Sequence, residues 1–331
     1  MATMYVTEQG ARIEKEYRRI LVTKYDEVLM RVPLARVSHI VLVGRVGVTT
    51  PALVALLREE IGLSLVSRAG RLRGRLVPPV GKNIPRRHAQ YARAQDAPFC
   101  LQIGRAIVGG KLRNERTMAR RLCRQRRDID DGPIEEMNNA IDALDGAATL
   151  AEVRGQEGRG ARAYFSILRQ AIPESWGLDR RARRPPPDPA NALLSLGYTL
   201  LTQNMITAAE VVGLDPYDGF FHADKHGRPA LALDLEEEFR SIIVDSVVLT
   251  IINKGMLMVD DFRPGPGGGL RLKRAALREF FEQYGRRIHT RVIHPELDHR
   301  LSYQQCFEVQ ARWLAQVVEG KKDTYVPFLT R

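Results

Sequence analysis

The period of the hydrophobic pattern changes once along this chain, near residue 86, and the change limits the folds that the chain can adopt. Before it, the stretch YRRILVTKYDEVLMRVPLARVSHIVLVG alternates polar and apolar residues, the period of half-buried strands, with a hairpin turn predicted at Tyr25-Asp26. After it, stretches such as FCLQIGRAIVGGK repeat apolar residues at helical spacing. The sequence therefore predicts an α+β protein: a small, mainly β N-terminal domain, residues 1–86, followed by a larger all-α domain, residues 87–331.

Several features of the composition indicate a soluble protein of a reducing compartment. No run of 18 or more apolar residues exists, and the N-terminus lacks the apolar core of a secretion signal. The three cysteines, Cys100, Cys123 and Cys306, lie far apart and do not form a zinc-binding spacing. We therefore expect a cytoplasmic protein without a membrane span.

Positive charge is concentrated in one part of the sequence. The net charge is +12, yet the segment Arg58–Arg127 alone holds 18 Lys and Arg against 4 Asp and Glu. That segment carries the whole excess, as a binding surface for a polyanion requires. Arginine predominates there, and its planar fork matches phosphate oxygens. We expect nucleic acid as the partner. A solvated basic surface and an acidic protein partner are the alternatives, and an anionic membrane fits less well because turns interrupt the segment.

The segment Gly219–Arg240 combines one imidazole with a dense run of acids. His222 follows an apolar anchor in a turn-like stretch, and Glu237 lies fifteen residues later. Asp234 and Glu237 fit a capping box with Asp234 as the N-cap, an explanation that needs no ligand. The two acids also share a helix face, so both could present carboxylates to one ion together with His222. Capping and metal binding do not exclude each other.

Glu157 is a third candidate because it lies on an apolar helix stripe with Ala161 and Leu168. A carboxylate on such a stripe needs a partner or a metal, since burying it alone is costly. The alternative is a surface salt bridge with Arg154, three residues earlier. The glycines of the surrounding stretch RGQEGRG weaken a helix by about 1 kcal/mol each relative to alanine. They indicate that backbone or a ligand approaches closely there.

One imidazole with two or three carboxylates forms a hard, mostly oxygen ligand set, which favours Mg²⁺ or Mn²⁺ over zinc. Beside a surface that binds a polyanion, such a site indicates phosphodiester chemistry. The ion would polarise the phosphoryl group and lower the pKa of an attacking water or hydroxyl.

Several long stretches also resemble one known family. GLDPYDGFFHADKHGRPALALDLEEEFR resembles the signature of the CRISPR adaptation integrases. AIVGGKLRNERTMARR, EGRGARAYF and RRPPPDPANALLSLGYTLL resemble other segments of that family, in the same order, and LREFFEQYGRRI follows its C-terminal pattern more loosely. The resemblance covers most of residues 96–290. The predicted N-terminal domain agrees with the small β domain of the family.

The resemblance implies a metal-dependent DNA endonuclease and integrase, which inserts short captured DNA as new spacers into a CRISPR array. By motif, its Mg²⁺ or Mn²⁺ ligands fall on Glu157, His222 and Glu237, with Asp234 as a second carboxylate of the catalytic site. The 3′-OH of incoming DNA would attack a repeat-boundary phosphate, with the ion activating the hydroxyl and stabilising the leaving oxygen. Glu236 stands where the family often has methionine, and we expect it to face away from Glu237.

The resemblance also implies DNA contacts and partners. The side chains expected to order the site or to contact DNA are Tyr164, Asn191, Tyr198, Arg162, Arg180, Arg181 and Arg240. Family members form homodimers through the β domain and assemble with the second CRISPR adaptation protein. Two other functions stay open: a catalytically silent DNA-binding scaffold on the same fold, and a generic nuclease for branched DNA. The presence of Glu157, His222 and Glu237 favours the enzyme.

Overall fold

The alternating and the helical parts of the sequence fold into separate units, Met1–Val80 and Gly81–Arg331. The predicted boundary after residue 86 falls inside the first helix of the second unit, which begins at Ile84. Strands precede helices, so the predicted α+β class is confirmed. The structure, a computed structural model, describes residues 2–25, 27–59, 61–67, 72–76, 83–182, 185–223, 225–265 and 268–330.

Two four-stranded sheets and one helix form the described part of the first unit. The elements are β1 (Ala2–Val6), β2 (Arg12–Glu16), β3 (Arg19–Lys24), β4 (Glu27–Pro33), β5 (Val37–Val43), β6 (Gly47–Val48), α1 (Thr50–Arg58), β7 (Gly62–Val66) and β8 (Leu72–Leu76). One sheet has the order β1-β5-β7-β8 and the other β4-β3-β2-β6. Lys24 of β3 pairs with Glu27 of β4, which confirms the predicted hairpin at Tyr25; Asp26 lies outside the described residues.

The core of the first unit draws on both sheets and on α1, where Ile13, Ile40 and Leu56 are fully buried. The alternation predicted from the sequence places the strand residues Ile13 and Ile40 on inward faces.

One imidazole is buried in the first sheet. His39 of β5 pairs with Gly62 of β7, where an added Cβ would lie 2.7 Å from the Nδ1 of His39. The other ring nitrogen, Nε2, lies 2.8 Å from the Oγ of Ser64. Burial, with a smaller effect of Arg75, lowers the pKa of His39 to about 4. This imidazole is therefore neutral in the folded protein at neutral pH.

In its described residues, the second unit is mostly helical and includes two short hairpins. Its helices are α2 (Ile84–Ala94), α3 (Ala97–Gln125), α4 (Pro133–Asp142), α5 (Leu150–Ala171), α6 (Pro189–Val211), α7 (Ala230–Glu236), α8 (Ser246–Asn253), α9 (Arg274–Ile288) and α10 (Tyr303–Val318). A 3₁₀ turn (Glu237–Phe239) and a π-helical segment (Arg240–Asp245) join α7 to α8. The hairpin strands are β9 (Phe262–Pro264), β10 (Leu270–Leu272), β11 (Arg291–Ile293) and β12 (Arg300–Ser302). Within the described residues, no helix combines the length and apolar composition needed to span a membrane.

Helices α3 and α5 approach each other closely, and one glycine permits this. A Cβ at Gly160 of α5 would lie 2.5 Å from Leu112 of α3. Gly155, by contrast, has nothing within 4 Å of such a Cβ. The close approach predicted from the glycine-rich stretch therefore occurs at Gly160, and it brings the adjacent faces of α3 and α5 together. Glu157 and Lys111 lie on those faces.

Candidate metal centre

Three elements converge on the side chain of Lys111: α3, which carries it, α5, and the 3₁₀ turn after α7. The side chain is only 6% exposed. Its ammonium pairs with Glu157 of α5 and lies 2.7 Å from the Oε2 of Glu237. Burial opposes the positive charge, but Glu237 and the neighbouring Glu115 outweigh it and raise the pKa of Lys111. Lys111 is therefore a fixed cation between two carboxylates.

The partner of Glu157 is Lys111 and not Arg154. Arg154 donates from Nη2 to the backbone oxygen of Phe221 at 2.7 Å, and its guanidinium lies 5.5 Å from the centre of the Phe221 ring. The surface salt bridge considered for Glu157 is therefore absent. The side chain of Glu157 keeps 27% of its surface exposed, so it forms the open side of this cluster.

Asp234 holds His222 in a fixed orientation. Its Oδ1 lies 2.7 Å from the Nδ1 of His222, and its two oxygens also accept hydrogen bonds from the backbone N–H groups of Phe220, Phe221 and His222. Because a carboxylate only accepts, Nδ1 carries the hydrogen and Nε2 keeps its lone pair. This Nε2 lies 3.8 Å from the Oε1 of Glu237.

The capping box predicted for Asp234 and Glu237 is wrong. Helix α7 begins at Ala230 after Pro229, so Asp234 lies inside the helix and not before it. Its side chain binds the loop that carries His222 instead of the helix terminus. A fully buried Asp234 with four hydrogen bonds is not available as a ligand in the way the sequence suggested; it orients His222, which is a candidate ligand.

Glu237 is the charged group at the middle of the cluster. Burial disfavours its ionisation, but the positive charges of Arg240 and Lys111 outweigh burial and hold its pKa well below the ordinary value. Its Oε1 accepts from Nη1 of Arg240 at 3.1 Å, and its buried Oε2 makes only the ion pair with Lys111 among the described residues. Glu237 is therefore ionised, and Oε2 retains the capacity to bind a cation.

Glu236 shares Arg240 with Glu237 but has a second partner of its own, Thr202. Its Oε2 accepts a hydrogen bond of 2.5 Å from Thr202 of α6, and its Oε1 lies 3.5 Å from Nη1 of Arg240. Burial raises the pKa of Glu236 to about 7. The acid that stands in place of the family's methionine is thus turned to α6.

The donor set fits a divalent cation in kind. Glu157 and Glu237 supply carboxylate oxygens, and His222 supplies a nitrogen oriented by a buried acid, as ligating histidines usually are. Across the described ranges, however, no three His, Cys, Asp or Glu side chains stand close enough to share one ion in this arrangement. The ammonium of Lys111 occupies the space between the two carboxylates, so an ion bound there must displace it.

The comparisons with known proteins identify the family. The family model described as CRISPR associated protein Cas1 matches residues 4–286 of this chain. The chain belongs to the Cas1 family. A CRISPR-associated endonuclease Cas1 of Moorella thermoacetica is 35% identical, covering 99% of this chain and 98% of the relative. A second, from Thermus thermophilus, is 37% identical over 100% of this chain and 98% of the relative. The resemblance inferred from the sequence motifs is confirmed.

Solved Cas1-like structures share the fold. A casposase bound to integration product superposes with a TM-score of 0.87 at 23% identity, over 98% of this chain and 93% of the other. A Cas1 protein of Thermotoga maritima gives a TM-score of 0.82 at 20% identity, over 99% of both chains. The order of a strand-rich part and a helical part is therefore that of Cas1 proteins.

Three side chains expected at DNA lie in the interior of this Cas1 chain instead. Tyr164, Tyr198 and Arg240 are each at most 8% exposed. Both tyrosines donate hydrogen bonds to Asp245, at 2.8 Å and 2.5 Å, and the guanidinium of Arg240 lies 4.1 Å from the centre of the Tyr198 ring. Direct DNA contact by these three does not fit this arrangement. They connect the π-helical segment that follows Glu237 to α5 and α6, and π-helical turns are frequent at functional sites.

Asn191 is also buried, whereas two of the remaining arginines are exposed. Asn191 accepts from Nη1 of Arg181 at 2.8 Å and donates to the backbone oxygen of Arg180 at 2.9 Å. It therefore shapes the loop before α6 and does not reach a ligand. Arg162 and Arg180 are exposed, and for these two a DNA contact stays a prediction.

Sequence reasoning missed Lys111, although a signal was present. Lys111 continues the apolar stripe of Ile103 and Ile107 at four-residue steps, and the same argument drew attention to Glu157. A lysine on a buried stripe needs acidic partners, just as a buried carboxylate needs a cation.

The C-terminal residues were also missed, and they complete the support of the centre. Glu238 accepts hydrogen bonds from the Oη of Tyr325, the backbone N–H of Phe328 and Nε2 of Gln310. Asn114 of α3 donates to the backbone oxygens of Glu238 and Phe328. The tail thus ties the turn that bears Glu237 to α3. No local sequence pattern connects positions 214 residues apart.

Proposed function

We propose that this Cas1 chain is a metal-dependent DNA integrase that inserts short DNA fragments as new spacers into a CRISPR array. In the proposed reaction, the 3′-OH of the incoming DNA attacks a repeat-boundary phosphate. A new phosphodiester bond forms as the existing one breaks, and the leaving 3′ oxygen takes a proton.

One arrangement carries this proposal: Asp234 fixes His222 so that Nε2 faces Glu237, while Glu157 lies on the other side of Lys111. Neither a structural ion pair nor a helix cap requires an imidazole held in this way. A hard ligand set of two carboxylates and one imidazole favours Mg²⁺ or Mn²⁺. Both ions suit phosphoryl transfer.

Each residue of the centre has a definite part in this chemistry. Glu157, His222 and Glu237 would hold the ion. When bound, Mg²⁺ or Mn²⁺ supplies Lewis-acid stabilisation of the charge that develops on the reacting phosphate. Asp234 keeps the imidazole in the tautomer with a free Nε2. Arg240 and its neighbours keep Glu237 ionised, so that the site is ready for a cation at neutral pH.

The proposed partners follow from the relatives. The Moorella and Thermus relatives are named endonucleases, and a solved structure of similar fold is a casposase bound to integration product. Another is part of a Cas6-RT-Cas1–Cas2 complex, with a TM-score of 0.82 at 24% identity over 98% of this chain and 36% of the other. These support DNA and Cas2 as partners here. We further propose a homodimer formed through the N-terminal unit.

A strand-transfer assay tests the function. Purified protein, with and without Cas2 from the same locus, is incubated with a supercoiled plasmid carrying the repeat array, short duplexes with 3′-OH ends, and Mn²⁺ or Mg²⁺. We expect joining at repeat boundaries that EDTA abolishes. His222→Ala and Glu237→Ala should lose joining and keep DNA affinity within about threefold, because contacts between the protein and the phosphates of the DNA backbone supply that affinity.

His226→Ala is the matched control, since His226 is exposed in the same loop; it should join DNA as the wild type does. Binding without joining under either metal would favour the catalytically silent scaffold. Cutting of branched DNA without preference for repeat boundaries would favour a generic nuclease.

A further inference from the structure

A groove between α3, α8 and α9 collects positive charge away from the candidate metal centre. It has a volume of about 360 Å³. The charged residues that line it are Arg121, Lys254, Arg286 and Arg287. Among its described lining residues there is no Asp or Glu. The positive charges in one concave site repel one another, and an anion bound between them would offset this repulsion.

The surroundings of Arg287 show most clearly that the described lining residues supply no negative charge to the groove. Its Nε donates to the backbone oxygen of Ile242 at 2.9 Å, and its guanidinium lies 4.8 Å from the centre of the Tyr303 ring. Burial lowers the pKa of Arg287, Tyr303 opposes this, and the positive charge of Arg121 adds a smaller lowering. No described carboxylate lies within ion-pair distance. A half-buried guanidinium is thus held beside a second cation without a counter-charge.

The other cations are accessible to a ligand. Arg121 and Lys254 are exposed, and neither forms an ion pair within the described part of the chain. Arg286 pairs with Glu282 at 2.5 Å on the outer face of α9. The groove therefore offers one half-buried guanidinium, that of Arg287, and two exposed cations without a described ion-pair partner, Arg121 and Lys254.

The groove and the metal centre share one face of α3. Met118, Leu122 and Gln125 line the groove, and they follow Lys111 by 7, 11 and 14 residues, the spacing of one helix face. Arg121 lies ten residues after Lys111, about 15 Å along the axis. One strand of duplex DNA spans that length in four or five nucleotides at about 3.4 Å each.

We propose that this groove binds a phosphate group, supplied by the backbone of DNA whose reacting phosphate lies at the metal centre. Arginine guanidinium groups pair bidentately with phosphate oxygens, and the three cations without a described acidic partner, Arg121, Lys254 and Arg287, suit a multiply charged ligand. The phosphate chemistry follows from the groove itself. The assignment to DNA rests on the proposed function.

The test uses the full chain in EDTA, so that the metal centre plays no part. Arg121→Gln and Lys254→Gln are combined, because both side chains are exposed and the fold does not depend on them. We expect DNA binding to weaken at least tenfold at 0.1 M salt. For the double variant, the plot of the logarithm of the DNA-binding constant against the logarithm of the salt concentration should be less steep by about 1 to 2. Each lost phosphate contact reduces that slope by about 0.7 to 0.9. Arg312→Gln combined with Lys321→Gln, two exposed positions beside Glu308 and Glu319, is the control with the same loss of two charges.

A thermal-shift arm with inorganic phosphate and pyrophosphate distinguishes the source of the phosphate. If the double variant keeps the salt dependence of DNA binding but is no longer stabilised by inorganic phosphate, the groove is a site for free phosphate and the assignment to DNA is overturned. No change in either measurement overturns the proposal and points to an acidic protein segment as the occupant. If the wild type binds no DNA at all, the proposed function fails, while the phosphate arm still decides the groove.

Discussion

The Nζ of Lys111 lies 2.7 Å from the Oε2 of Glu237 in the interior of the second unit. The same ammonium pairs with Glu157, so one monovalent cation is shared by both carboxylates that we propose as metal ligands, and Arg240 supplies a second positive charge at Glu237. A buried group of this kind is strongly destabilised when one partner is removed, because another charge is left uncompensated. We therefore expect two forms of the centre, one with the ammonium between the acids and one with a divalent ion in its place.

Replacing Lys111 by methionine should separate these two forms. In EDTA, Lys111→Met should lower the free energy of unfolding by about 3 kcal/mol, since Glu157 loses its described cation and Glu237 keeps only Arg240 as a close cation among the described Lys and Arg residues. Added Mn²⁺ should then raise the melting temperature more in the variant than in the wild type, because the ion no longer competes with the ammonium. Scanning fluorimetry with EDTA and with Mn²⁺ measures both effects.

Lys321→Met is the control for that experiment, since Lys321 pairs with Glu319 at the surface with 64% of its side chain exposed; such a pair contributes little. Equal Mn²⁺ shifts in wild type and Lys111→Met would show that ammonium and ion do not compete for one place.

Asp234→Asn should weaken metal binding without removing a ligand. The asparagine amide cannot accept the hydrogen bonds that one carboxylate oxygen of Asp234 accepts, so His222 loses its fixed orientation. Loss of such a supporting acid typically costs 10- to 100-fold in metal affinity. Mn²⁺ titration calorimetry checks this. Asp215→Asn, in the same loop but hydrogen-bonded to Tyr217 and Tyr91, should keep wild-type affinity, and an unchanged affinity in Asp234→Asn would contradict the supporting role.

Two glycines give a matched pair for the packing of the C-terminal tail. A Cβ at Gly110 would lie 2.4 Å from the Cβ of Pro327, so Gly110→Ala should destabilise the protein by about 1 to 3 kcal/mol through overpacking. Gly155→Ala, in open helical surface, should stabilise it by up to about 1 kcal/mol. Urea unfolding measures both. A gain in stability for both variants would mean that the tail does not pack on α3.

The stability of the first unit should depend on pH through His39. Its pKa is lowered to about 4 when folded and is about 6.5 in an unfolded chain. Between these values the unfolded state binds the extra proton, so the stabilisation is complete above about pH 6.5 and is lost as the pH falls toward 4. The loss is about 1.4 kcal/mol per pH unit.

Hydrogen exchange of peptides from β5 and β7 is the appropriate measurement, because both tryptophans, Trp176 and Trp313, lie in the second unit. His39→Gln should flatten the profile, since glutamine does not titrate. A wild-type profile that is already flat between pH 4 and 6.5 would show that protonation of His39 is not coupled to unfolding.

The sequence was sufficient for whatever depends on local periodicity. The change from alternating to helical spacing located the strands and the helices, and the apolar stripe around Glu157 correctly indicated a charge that needs a partner. The hairpin at Tyr25 followed from the same pattern.

Local sequence patterns failed to predict side chains that bind parts of the chain distant from them in sequence. Asp234 matched a capping box, but Pro229 starts the helix earlier and the carboxylate binds a loop twelve residues back. Tyr198 lies in an apolar helix, which already favoured burial over DNA contact; the family resemblance outweighed that signal. The link between Asn114 and Phe328 arises only from the tertiary fold.

The attachment of the tail sets the order in which the proposed centre can be completed during synthesis. Glu238 and Asn114 are synthesised before Tyr325 and Phe328, which are their hydrogen-bond partners in the C-terminal tail. While the second unit emerges from the ribosome, a buried carboxylate beside Glu237 still lacks its hydrogen bonds. The turn that bears Glu237 therefore gains the hydrogen bonds of Tyr325 and Phe328 only after both residues have been synthesised.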